Sequence, residues 1–203
     1  MHKKEKSKLL ITGIIVIIIG IMIGIIPIFL QRKVGMKEKN KVEDYIRDTS
    51  TIEDNNSINE EEENSNEEEY LFILEIPRIN IKRGIYQKSS SLNTIEKNIT
   101  IMKESSLPTD NNGNVVLEAH NGTANVAFFK YLYKLEINDP VYIYYQGTKY
   151  IYNVSNIYDV DKDGTVEVNR DSNQKTLTLI TCKKDTDDKQ LVVILYLSKE
   201  ENY

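Results

Sequence analysis

Cys182 is the one cysteine of the chain, and it closes the apolar, β-branched run Thr176-Leu-Thr-Leu-Ile-Thr-Cys182. A single thiol makes no internal disulfide, so it serves either as a small buried hydrophobe or as a nucleophile. Nucleophilic use needs a partner that takes a proton and later returns one, and imidazole is suited to that near neutral pH. Of the two histidines, His2 stands in the N-terminal tail and His120 in Glu118-Ala-His-Asn-Gly122. His120 is therefore the one credible partner, set against the plainer reading of a satisfied histidine beside an Asn-Gly turn. One imidazole and one thiol do not make a closed ligand set, so neither a metal nor another cofactor is expected. Asp161-Lys-Asp-Gly164 opens like a calcium loop but lacks the later ligands and the closing Glu, and it reads as a turn.

The elements that must position this pair are short strands. Residues 71–76, 80–86, 114–118, 141–145, 149–154, 165–168, 176–181 and 191–197 are β-branched or aromatic runs bounded by Gly, Asn, Asp or Pro. Eight such runs in one domain predict a mainly β fold that closes, or nearly closes, into a barrel. Alternation in Tyr142-Ile-Tyr144 and Tyr150-Ile-Tyr152 is that of a two-faced hairpin, with Gln146-Gly147 as its turn. Two short helices are expected between strands: 92–97, capped by Ser91, and 125–134, with Val126, Phe129 and Tyr133 along one face.

The N-terminal third is not globular in composition. Residues 9–30 carry no charge over 22 positions, enough at about 1.5 Å per residue to cross a hydrocarbon core of about 30 Å. They read as an uncleaved transmembrane anchor behind a short tail, 1–8, since Phe29-Leu30-Gln31-Arg32-Lys33 offers no small-residue cleavage site. Lysines and arginines flank both ends, so charge alone leaves the orientation open. Residues 31–69 read as a flexible linker; between Thr51 and Glu69 there are nine acidic residues and no basic one. Residues 70–203 then form one domain. The net charge of −5 and the lack of a clustered basic face exclude nucleic acid as an expected partner.

Several motifs within 70–203 occur in a telling order: Ile76-Pro77-x-Ile79-x-Ile81, Gly84-Ile-Tyr86, Ser105-Ser-Leu-Pro108, Ala119-His-Asn-Gly122, and Thr176 to Cys182. In this order and spacing they resemble the sortases, cysteine transpeptidases of Gram-positive cell surfaces. The resemblance implies an eight-stranded sortase-like β-barrel with short helices, held outside the cell by a single-pass anchor through residues 9–30. It implies Cys182 as nucleophile and His120 as general acid and base. The substrates implied are surface proteins with a C-terminal sorting motif, and the acceptor an amine of a peptidoglycan precursor or a pilin. Thr181 would help to orient substrate.

The chain departs from the family at a third position, an arginine on the strand after the cysteine that donates to substrate or to the developing oxyanion. No arginine follows Arg170. The register that keeps the apolar face of 191–197 inward puts Gln190 there; a one-residue slip would put Lys189 there and turn that face outward. Gln190 is the expected replacement, with Lys189 and Arg170 as less favoured ones. The departure also motivates an alternative, a sortase-fold module of weak or no catalytic activity that binds sorting signals or cell-wall peptide.

Overall fold

The computed structural model describes residues 14, 16, 18–22, 35–50, 69–186 and 188–203. The transmembrane anchor expected over 9–30 falls mostly outside this set, as do residues 51–68 of the acidic run. Among the described residues no helix is long and apolar enough to cross a membrane. The chain divides into two units, Met1–Lys41 and Val42–Tyr203. In the first, the described residues are helical.

Among the described residues the second unit holds eight strands: β1 (Tyr70–Ile76), β2 (Ile81–Tyr86), β3 (Thr100–Ile101), β4 (Asn114–Glu118), β5 (Pro140–Tyr145), β6 (Thr148–Asp161), β7 (Thr176–Cys182) and β8 (Lys189–Asn202). They form one sheet in the order β2-β1-β5-β6-β8-β7-β4-β3. The sheet curls until its edge strands come close, and a side chain spans the remaining gap. Buried Asn98 donates from Nδ2 to the Gly84 carbonyl at 2.8 Å and accepts at Oδ1 from Arg83 Nε. The result is the nearly closed eight-stranded barrel expected from the strand count.

Strand alternation fills the interior. Phe72, Leu74, Leu117, Ile143, Tyr152, Leu177, Leu179, Val193 and Leu195 belong to one buried cluster. In the β5–β6 hairpin the tyrosines divide as a two-faced strand pair requires. Tyr150 and Tyr152 are buried, while Tyr142 and Tyr144 are half-buried. The turn places Gln146 and Gly147 at φ 48° and 76°, the left-handed pair that a tight hairpin of right-twisted strands demands.

Three sequence expectations are corrected. Residues 92–97 form turns rather than a helix. Asn93 instead spends its amide on the backbone of Ile101, donating to the carbonyl at 3.0 Å and accepting from the N–H at 2.9 Å. Residues 125–134 give consecutive turns ending in a 3₁₀ turn, Leu132–Lys134. The amide of Phe129, which an α-helix would direct at residue 125, donates to the His120 carbonyl at 3.1 Å. Residues 165–168 are an extended loop, and the eighth strand is the two-residue β3. The Tyr158 hydroxyl serves that loop in place of a neighbouring strand, donating to the Glu167 carbonyl and accepting from the Asn169 amide.

The stretch read as linker is helical over 35–50. Within the second unit, Val42, Tyr45 and Ile46 share a helix face and pack in a small cluster with Tyr70, Ile73, Tyr86 and Tyr144. Tyr45 donates its hydroxyl to the Leu71 carbonyl at 2.8 Å, and Thr49 meets the Tyr203 hydroxyl at 2.7 Å. Burial pushes the Tyr45 phenol well above its ordinary range. Averaging with the acidic run behind it hides this short amphipathic stretch in the sequence.

Gly84 is set by the same cluster. A Cβ added there would run into the ring of Tyr70. Gly84→Ala should therefore destabilise the barrel by about 1–3 kcal/mol, although alanine is otherwise the better strand residue. Chemical denaturation measures this, and Tyr70→Leu in the same background should recover part of the loss.

Candidate active site

Strands β4 and β7 run parallel, with Leu117 paired to Leu179 and Glu118 to Ile180. The pairing continues past the end of β4, where the Ala119 amide donates to the Ile180 carbonyl at 3.3 Å. Two residues beyond the Glu118–Ile180 pair stand His120 and Cys182, so the pair expected from sequence is level at one end of adjacent strands. Both are half-buried. Buried Thr181 donates its hydroxyl to the Ala119 carbonyl at 2.7 Å, so that hydroxyl clamps the two strands immediately before Cys182 and His120. Asn121 Nδ2 donates to the Cys182 carbonyl at 2.9 Å, and the His120 carbonyl accepts from Phe129. The backbone around both residues is pinned from two directions.

On β7, Leu177 and Leu179 belong to the interior cluster, which puts Cys182 on the outer face by alternation. The β7–β8 register pairs Cys182 directly with Gln190. Gln190 thus shares that outer face and is buried. Lys189 alternates to the other face, with Nζ 3.7 Å from Asp161 Oδ1. Arg170 lies at the opposite end of β7, where its guanidinium donates to the carbonyls of Asn112, Asp171 and Gln174 and to the Thr176 hydroxyl at 3.2–3.4 Å. The span from Thr176 to Cys182 is about 20 Å at about 3.3 Å per residue. The structure therefore brings Cys182, His120 and Gln190 to one end of the barrel and leaves Arg170 at the other.

A cleft of about 760 Å³ opens beside the thiol. Cys182, Asn121, Tyr131, Tyr133, Lys162 and Lys184 are among its lining residues. Lys162, passed over in the sequence as part of a turn, directs Nζ at Cys182 Sγ from 3.5 Å. Its backbone is tied down as well, its amide donating to the Asp188 carbonyl at 2.7 Å. Glu118 completes the charged surroundings. Burial pushes its carboxyl above the ordinary 4.5, while the nearby His120 and Lys162 pull it down. No linear signal marks Lys162, because its approach depends on the pairing of the far ends of β6 and β8, Val160 with Gln190 and Asp161 with Lys189.

Residues 74–198 match the family model of the Sortase domain. Sortase A of Bacillus anthracis is 25% identical over 121 residues, 60% of this chain and 56% of that protein; the chain thus spans a little over half the length of this curated relative. Among solved structures, sortase A from Corynebacterium diphtheriae is similar with a TM-score of 0.58 and 25% identity, over 79% of this chain and 84% of that one. A sortase D5 transpeptidase from Clostridium perfringens shares the fold with a TM-score of 0.55 and 24% identity, over 64% of this chain and 80% of that one. The strand order, the Cys182–His120 end of the barrel and the match over most of the second unit lead to one conclusion: the chain belongs to the sortase family, a family of cysteine transpeptidases.

Proposed function

We propose that this chain is a working transpeptidase that cleaves a C-terminal sorting signal at a threonine carbonyl and passes the new terminus to an amine. The observation that carries the reading is the parallel β4–β7 pairing, clamped by the Thr181 hydroxyl on Ala119, which sets His120 level with Cys182. In the forward half, the Cys182 thiolate adds to the threonine carbonyl. Collapse of the tetrahedral adduct breaks the peptide bond, and His120 gives its proton to the departing amine, leaving a thioester. In the second half an acceptor amine adds to the thioester, its proton passes to His120, and the thiolate leaves. Gln190 faces the same end of the barrel with a neutral amide able to donate to the oxyanion.

The substrates of this reading are surface proteins with a C-terminal sorting motif, and the acceptor is an amine of a peptidoglycan precursor or a pilin. The chain is anchored in the cell membrane through residues 9–30, with the barrel outside. To test the activity, the full chain is incubated with threonine-containing peptides of Leu-Pro and Asn-Pro type, with and without an amine, and Cys182 is examined by mass spectrometry. A peptidyl adduct on Cys182 that disappears when amine is added is the expected result. Peptide binding without any adduct would favour the second reading, a sortase-fold binding module, which Gln190 in place of a guanidinium opposite the thiol supports.

A further inference from the structure

A thiol is a poor nucleophile until it loses its proton, and the thiolate must then be held against a surrounding that is partly apolar. Cys182 sits at such a place, half-buried at the end of a strand whose six preceding residues are all buried. Directly across on β8 stands Gln190, which carries no charge. A positive charge beside the sulfur would favour thiolate over thiol.

The cations around the cleft have different engagements. Lys183 pairs with Asp159, and Lys189 lies 3.7 Å from Asp161. Lys184 lies over the Tyr133 ring at 5.4 Å, and Lys130 over the Tyr131 ring at 5.4 Å. Lys162 points its ammonium at the sulfur, 3.5 Å away, and its charge also bears on the half-buried Glu118 carboxyl on β4, which His120 attracts as well. Its placement is built rather than incidental. It follows β6 directly: the ladder sets Val160 opposite Gln190, which itself stands opposite Cys182, and Lys162 comes two residues beyond Val160 on the same face by alternation, where its side chain reaches back to the sulfur. The amide bond to Asp188 fixes the chain at that point.

We propose that Lys162 is a catalytic residue of this chain, its ammonium stabilising the Cys182 thiolate and then lying within reach of the oxyanion formed at the adjacent carbonyl. The catalytic part of this inference rests on the transpeptidase reading above; the thiolate part stands without it. The charge and the amide donor then come from two strands, Lys162 at the end of β6 and Gln190 on β8. Lys162 keeps its own protons throughout. The thiol proton leaves to His120, and the ammonium acts only as charge and hydrogen-bond donor.

The test reads the thiolate directly. The full chain is alkylated with iodoacetamide across pH, and the midpoint of the rate profile gives the thiol titration. Lys162→Met should move the midpoint up by about one unit, making alkylation at neutral pH about tenfold slower. Lys162→Gln is the second variant, should the methionine form fail to fold, and Lys162→Arg should hold the midpoint near that of the unaltered chain. Lys183→Met, which removes the neighbouring cation paired with Asp159, should move it little. An unchanged midpoint in Lys162→Met or Lys162→Gln overturns the assignment. So does an equal shift in Lys183→Met, which would mean a diffuse basic surface rather than one directed ammonium. With a sorting peptide, kcat/KM of Lys162→Met should fall about tenfold in step with the thiolate. If the unaltered chain forms no adduct with any peptide yet the alkylation contrast holds, the transpeptidase reading fails and the Lys162–thiolate pair survives.

Discussion

Cys182→Ala will eliminate the peptidyl adduct and lower cleavage of a sorting peptide by about 10⁴-fold or more, the scale on which removal of a nucleophile acts in enzymes with a covalent intermediate. The stability of the barrel should barely change. Cys182 is the last residue of β7 and is half-buried, so loss of its sulfur opens no closed cavity. Its backbone partners, the Asn121 amide on its carbonyl and the register with Gln190, do not depend on the side chain. This separates the two readings open for a lone cysteine. A packing role would show as a lowered melting temperature with cleavage intact; a nucleophile shows as lost cleavage with the melt intact. Peptide turnover and thermal unfolding of the same preparation decide between them, and persistent turnover in Cys182→Ala would remove Cys182 from the mechanism.

Much of the architecture is legible because it depends on alternation, which a linear reading can follow. The run ending in Cys182 is β7, and keeping Leu191, Val193 and Leu195 inward selects the register in which Gln190 faces Cys182. What escapes a linear reading is set by partners distant in sequence. Strand β3 has only two residues, and it is held by Asn93 and β4 rather than by its own propensity. Residues 165–168 alternate like a strand but find their backbone partner in the Tyr158 hydroxyl. The helix expected over 125–134 gives way because one amide, that of Phe129, is drawn to the His120 carbonyl. Lys162 is the extreme case. Its neighbour in space is 20 residues away in sequence, and two irregularities in the β6–β8 ladder, between Ile151 and Tyr152 and between Val154 and Asn156, contribute to the register that takes it there.

His120→Ala should slow cleavage of a peptide substrate by about 10²–10⁴-fold, the range that a positioned general acid and base supplies. The reason lies in the leaving group. An amine expelled from a tetrahedral adduct must gain a proton, whereas a phenolate departs without one. The variant should therefore keep much more of its rate toward a phenyl ester carrying the same peptide, because Cys182 can still add to the carbonyl and no proton need be delivered. Loss of the imidazole leaves the local backbone tie in place, since Phe129 donates to the main-chain carbonyl of residue 120 and the Thr181 hydroxyl holds Ala119. The deciding quantity is the ratio of kcat/KM for peptide and ester, compared between the unaltered chain and the variant. A ratio that falls steeply assigns His120 to protonation of the leaving amine. Equal loss on both substrates would instead place the imidazole at thiol deprotonation alone, and no loss on either would take it out of the reaction, leaving the level arrangement of His120 and Cys182 a consequence of the β4–β7 pairing.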